Sequence, residues 1–129
     1  MSLEMAVNKN YQLGLLHLVH LLISADGVID EKERDAILRI KSKENIPDSI
    51  YAEFETDVKT KKERDIYQQG IALINECTDE EKLRAFVHLY KLSEVDGNVH
   101  VKEVRLLLYS IKMAGIEFND VVEKATEQR

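Results

Sequence analysis

The sequence predicts a single all-α domain, a compact bundle of about seven helices spanning 1–129. Three observations lead there. Apolar residues recur at helical rather than alternating spacing. Helix breakers are sparse, with 5 Gly and 1 Pro in 129 residues. A helix–Asp-Gly–helix unit also occurs twice. A chain of this length buries about two-thirds of its unfolded surface, enough for a real core.

The elements follow in order. From Val7 to Ser24, Tyr11, Leu15, Leu18, Val19 and Leu22 share one stripe that Leu16 and Ile23 widen, which predicts a central, largely buried helix. Asp26-Gly27 stops it, because glycine accepts the left-handed conformation that closes a helix. Asp30 with Glu33 is a capping-box pattern. It predicts a helix over 31–43 with Ile37, Leu38 and Ile40 inward. Ile46-Pro47 breaks the chain, and proline suits the first turn of the next helix. Ile50, Phe54 and Val58 place that helix near 48–57.

Ile66, Ile71, Leu73 and Ile74 predict a helix over 62–76. Thr78 with Glu81 is a second capping box, opening a helix over 79–95 with Leu83, Phe86, Val87 and Tyr90 inward. Val104, Leu107, Leu108 and Ile111 predict a helix over 101–114, closed by Gly115. Asn119 caps a last short helix through Val122. Strand-like alternation is confined to the few residues around Val28-Ile29 and Asn98-Val99.

Leu22 to Glu33 resembles Leu92 to Glu103 at an offset of 70 residues (96 − 26), and Ile37-Leu38 then aligns with Leu107-Leu108. Each copy reads Asp-Gly-x-(Ile/Val)-x-x-x-Glu after an apolar helix. Two matches at one offset, in the same periodic setting, indicate an internal repeat.

Charge and composition narrow the function. With 18 Lys+Arg against 24 Asp+Glu, the net charge is −6, and an acidic surface repels phosphate backbones, so nucleic acid is not an expected partner. The basic run Lys59, Lys61, Lys62 and Arg64 reads as a solvated linker and helix start. A lone Cys77 cannot form an intrachain disulfide, which suits a reducing, cytoplasmic setting. The N-terminus does not read as a signal peptide. The apolar stretch Leu13–Ile23 is interrupted by His17 and His20 and is too short for direct membrane insertion.

The acidic turns are the candidate site. An Asp after a helix and a Glu seven residues on can turn carboxylates toward one place, which suits a hard divalent cation. With Gly27 at the glycine of an EF-hand loop, Asp26, Asp30 and Glu33 fall at positions five, nine and twelve. In the second copy Asp96 and Glu103 take equivalent places, and Glu94 falls at position three. The first ligand position is Leu22 or Leu92, which cannot bind a cation, so this is not a working EF-hand. The candidate metal set is therefore Asp26, Asp30, Glu33, Glu94, Asp96 and Glu103, with an expected affinity on the order of 10⁻⁴–10⁻³ M. The plainer reading gives Asp26 a turn role and Glu33 a capping role. In the second copy His100 is a poor cap, yet Glu103 is still present.

The paired Ala25-Asp26-Gly27-Val28-Ile29-x-x-x-Glu33 and Val95-Asp96-Gly97-Asn98-Val99-x-x-x-Glu103 resemble the tellurite-resistance TerB-like family, to which the N-terminal domain of the co-chaperone DjlA is related. The likeness covers Val7 to Gly115. It implies about seven helices with pseudo-twofold symmetry. It further implies an acidic site binding calcium, magnesium or another divalent cation weakly, and no enzymatic activity. The implied setting is a bacterial, cytoplasmic role in stress or metal response, often beside membrane-associated partners. By motif match the implied site residues are Asp26, Glu33, Asp96 and Glu103. The chain departs from the family pattern at His100 and Lys102, and Lys102 lowers the negative charge at the second turn.

His17, His20 and His88 read as the polar stripe of otherwise apolar helices, a transition-metal site with Cys77 being the alternative if they converge. Three function classes follow. One is a cation-binding stress module. Another is a metal-free helical adaptor that binds a protein partner or a second copy as a homodimer. The third, a metal-dependent hydrolase on the same acids, lacks any activated nucleophile or phosphate cradle.

Overall fold

The computed structural model describes residues 2–23, 31–95 and 101–127, with side chains at 9–22, 31, 33–92, 105 and 107–127. Among them are seven helices and no strand: α1 (Ser2–Ile23), α2 (Glu31–Lys43), α3 (Asp48–Thr60), α4 (Glu63–Asn75), α5 (Asp79–Val95), α6 (Val101–Met113) and α7 (Phe118–Glu127). The expected bundle is all-α as predicted. No helix among the described residues is long and apolar enough to cross a membrane.

From 11 to 22, α1 is buried on every side. Tyr11, Leu13, Leu15, Leu16, Leu18, Val19, Leu21 and Leu22 are all buried, as a helix at the centre of a bundle requires. It packs most extensively on α4 and also touches α2, α3, α5 and α6. Two glycines set the α1–α4 approach. A Cβ at Gly14 would sit 2.9 Å from Ile74 Cγ1 and 3.1 Å from the Gly70 carbonyl oxygen. One at Gly70 would sit 3.0 Å from His17 Cβ. Phe54, Ile74, Phe86, Ile111 and Val121 complete the core around α1 and α5.

Some helix bounds recur at the 70-residue offset. α2 and α6 share bounds at that offset, and α3 and α7 share a start (118 − 48 = 70). Asn45 and Gly115 both have positive φ, at 54° and 74°. Around them Ile46 N–H bonds Lys41 O and Asn45 N–H bonds Ser42 O, while Ile116 N–H bonds Ile111 O and Gly115 N–H bonds Lys112 O. That is the same Schellman closure twice, satisfying the orphan carbonyls of α2 and α6. α1 packs on α2 and α3, and α5 packs on α6 and α7. α4 stands outside this scheme.

Several expectations need correction. α1 begins at Ser2 rather than Val7, and α3 runs on to Thr60. Pro47 is the N-cap of α3 rather than its first turn; its carbonyl accepts from Ile50 and Tyr51 N–H. Asn119 lies inside α7, whose start is held by Glu117 O, and the helix continues to Glu127 because Val121 and Ala125 are buried one turn apart. Leu38 and Leu108 are exposed at 43% and 44%. Each follows a buried residue, Ile37 or Leu107, and the 100° step of a helix turns it away from the core. The Thr78–Glu81 capping box forms as predicted, with Thr78 N–H to Glu81 Oε1 at 3.0 Å and Glu81 N–H to Thr78 Oγ1 at 3.2 Å. The strand-like residues around Val28 and Asn98 lie outside the described residues.

Candidate functional site

Glu33 is the sequence-predicted site residue whose side chain the structure describes. It stands in the first turn of α2, where an acid favoured only by the helix dipole would face water. Instead it is 4% exposed, and its Oε2 lies 3.4 Å from Nδ1 of His20, itself 4% exposed, on α1. The helical step puts Glu33 on the same inward face as Ala36, Ile37 and Ile40. Asp26, Asp30 and Asp96 lie outside the described residues, as do the side chains of Glu94 and Glu103.

The sequence-predicted histidines each meet a different carboxylate. Both ring nitrogens of His17 on α1 are hydrogen-bonded, Nδ1 with Leu13 O at 2.6 Å and Nε2 with Asp57 Oδ2 at 3.0 Å. Asp57 on α3 also accepts from Gln69 Nε2 at 3.3 Å and pairs with Lys61 Nζ at 3.2 Å. Lys61 in turn donates to Gln69 Oε1, so this member of the basic run serves the buried carboxylate. Lys59, Lys62 and Arg64 are exposed, as a solvated linker predicts. Phe54 presents its ring to both His17 and His20, centroids 5.9 Å and 6.0 Å away in edge geometry.

A second cluster carried no signal in the sequence. Glu44, just past α2, accepts from Tyr11 Oη at 2.7 Å and His88 Nε2 at 2.6 Å, and pairs with Arg84 at 3.3 Å. Arg84 also donates to Tyr11 Oη at 3.1 Å and lies 4.5 Å from its ring centroid. The cluster opens on a cleft of about 460 Å³ lined by Lys43, Arg84, Val87, His88 and Lys91 beside Glu44. Burial pushes the Tyr11 phenol well above its ordinary range. Burial also raises the Glu44 carboxyl, but the hydrogen bonds from His88 and Tyr11 and the charges of His88 and Arg84 outweigh it. Glu44 is thus held below its ordinary value of 4.5.

A depressed carboxyl stabilises the fold above its unfolded pKa, and that contribution is lost as pH falls through the lower folded value. Urea midpoints of the wild type are therefore expected to drop on acidification below pH 4.5, the ordinary Glu44 value. In Glu44→Gln this part of the drop is absent. Equal slopes for the two proteins would remove Glu44 from the acid limb.

Cys77 is buried, its Sγ 3.5 Å from Leu73 O, and burial together with Glu81 pushes its thiol up to about 11. A thiol so raised is a poor nucleophile or metal ligand at neutral pH. The transition-metal alternative of three imidazoles with Cys77 does not form. Among the described residues no three His, Cys, Asp or Glu side chains gather around one point.

Comparisons with protein-family models, with curated proteins and with solved structures return no match.

Proposed function

We propose that the chain is a non-enzymatic, TerB-like stress-response module that holds a divalent cation weakly at its two Asp-Gly turns. Asp26, Asp30, Glu33, Glu94, Asp96 and Glu103 are its oxygen donors. The observation that supports this reading is the burial of Glu33 at the junction of α1 and α2, beside the first turn. Removing a carboxylate from water costs several kcal/mol, on the order of the whole stability of a small domain, unless a cation or strong donors face it. The affinity expected is on the order of 10⁻⁴–10⁻³ M. Backbone NMR during calcium, magnesium and manganese titrations tests it. Shifts should concentrate in residues 24–33 and 94–103 and vanish when Asp26→Asn and Asp96→Asn are combined. Flat titrations into the millimolar range would end the proposal.

A second reading, the metal-free adaptor, is favoured by one observation. Among the residues whose side chains are described, five large apolar ones are exposed; Leu108, Tyr109, Met113 and Phe118 fall within eleven positions of α6 and α7, and Leu38 lies on α2. Apolar surface concentrated in this way suits a protein partner or a second copy.

A further inference from the structure

The cleft beside Glu44 gathers cations in a chain that is acidic as a whole, with 24 Asp+Glu against 18 Lys+Arg. Arg84, Val87, His88 and Lys91 recur at helical steps of three and four, so they share one side of α5. With Lys43 and Glu44 from the end of α2 they line about 460 Å³ of space. Three permanent cations thus surround one carboxylate. That carboxylate is satisfied within the fold: it holds Tyr11, His88 and Arg84, and its side chain is 11% exposed. The Arg84 side chain is 52% exposed, so the floor of the cleft is negative and already paired while its rim is positive. Lys43 is exposed and has no ion-pair partner among the described residues.

Arg84 is also fixed in advance. Its Nε donates to Tyr11 Oη at 3.1 Å, its Nη2 lies 3.3 Å from Glu44 Oε1, and its guanidinium stands 4.5 Å from the Tyr11 ring centroid. A free surface arginine loses rotamer freedom when it grips a ligand, and one already held loses less. We infer that this cleft binds a phosphate group, as a small monoester or the free ion, with Arg84, Lys43 and Lys91 as its cationic contacts. A phosphate monoester carries close to two negative charges and three strong acceptor oxygens at neutral pH, so it can answer three cations at once. A carboxylate offers two oxygens in one plane. The space suits a small organic phosphate, since ligand pockets run to about 300–1,000 Å³. A long polyanion would meet the net charge of −6 outside the cleft, whereas a small one lies within the local positive field. The site shares no residue with the acidic turns, so it stands or falls apart from the cation reading.

The test is ¹H–¹⁵N NMR on the full chain, titrated with glycerol 3-phosphate against a sodium chloride control of matched ionic strength. The amides of residues 43, 44 and 84–91 and the Arg84 Nε–H should shift together and saturate. Lys43→Gln should weaken binding about tenfold, the weight of one charge-assisted hydrogen bond. Lys59→Gln removes an equally exposed charge from α3 and should leave binding unchanged. Far-UV circular dichroism checks that both variants are folded. No saturable shift above the chloride control at tens of millimolar overturns the inference, and so does equal weakening by the two variants. Malonate, a dicarboxylate, should bind about tenfold more weakly than the ester. Equal binding of malonate would mean that charge alone is read, and the phosphate assignment falls. Inorganic phosphate separates the two sources: weaker binding than the ester shows that the cleft also contacts the organic part, equal binding makes the free ion sufficient, and either upholds the site.

Discussion

Replacing Asp57 by alanine is expected to lower the unfolding free energy by about 3–5 kcal/mol, the usual cost of removing one partner of a buried ion pair. Asp57 is 8% exposed and takes hydrogen bonds from His17 and Gln69 and an ion pair from Lys61. Alanine leaves the buried Nε2 of His17 without its carboxylate partner. Asp57→Asn keeps one acceptor oxygen for His17 and should cost clearly less. Urea denaturation of the three proteins at neutral pH measures both. A loss below about 1 kcal/mol for the alanine variant would place the pair among surface ion pairs in energetic weight.

The second large effect is expected at Gly14. Alanine is ordinarily the better helix former by about 1 kcal/mol. At Gly14 the added methyl meets Ile74 Cγ1 at 2.9 Å and the Gly70 carbonyl oxygen at 3.1 Å. Ile74 can change rotamer only within a full core, and the carbonyl belongs to the backbone of α4. Gly14→Ala is therefore expected to destabilise by about 1–3 kcal/mol despite its helix propensity. Thermal or urea unfolding checks the sign. A stabilised variant would mean that α1 and α4 can part without loss.

How much of this was legible depends on the range of the signal. The bounds of α2 and α5 are local, set by capping residues and a seam of apolar side chains, and they coincide with expectation. The end of α6 at Gly115 is local too. Past Val122 the small residue Ala125 alone marks the buried face of α7, so the apolar pattern fades before the helix ends. Leu38 and Leu108 sit directly beside the seam, where the apolar pattern does not distinguish them from buried neighbours. Glu33 was found through its spacing from Asp-Gly, but its partner was not. His20 is apolar in pattern and polar in chemistry, and nothing local says which carboxylate it meets. Glu44 contacts Tyr11, 33 residues before it, and His88, 44 residues after it. Such pairs exist only once α1, α2 and α5 have packed, so no window of sequence displays them. The same holds for Gly14 and Gly70, each unremarkable alone, whose meaning lies in facing one another.

The central place of α1 also bears on how the chain is made. It leaves the ribosome before every helix that covers it, and α5 is complete only 72 residues later (95 − 23). At about 5–20 residues per second, that leaves a greasy rod waiting for roughly 4–14 s. During those seconds the apolar surface of α1 lacks the cover that α5 later supplies.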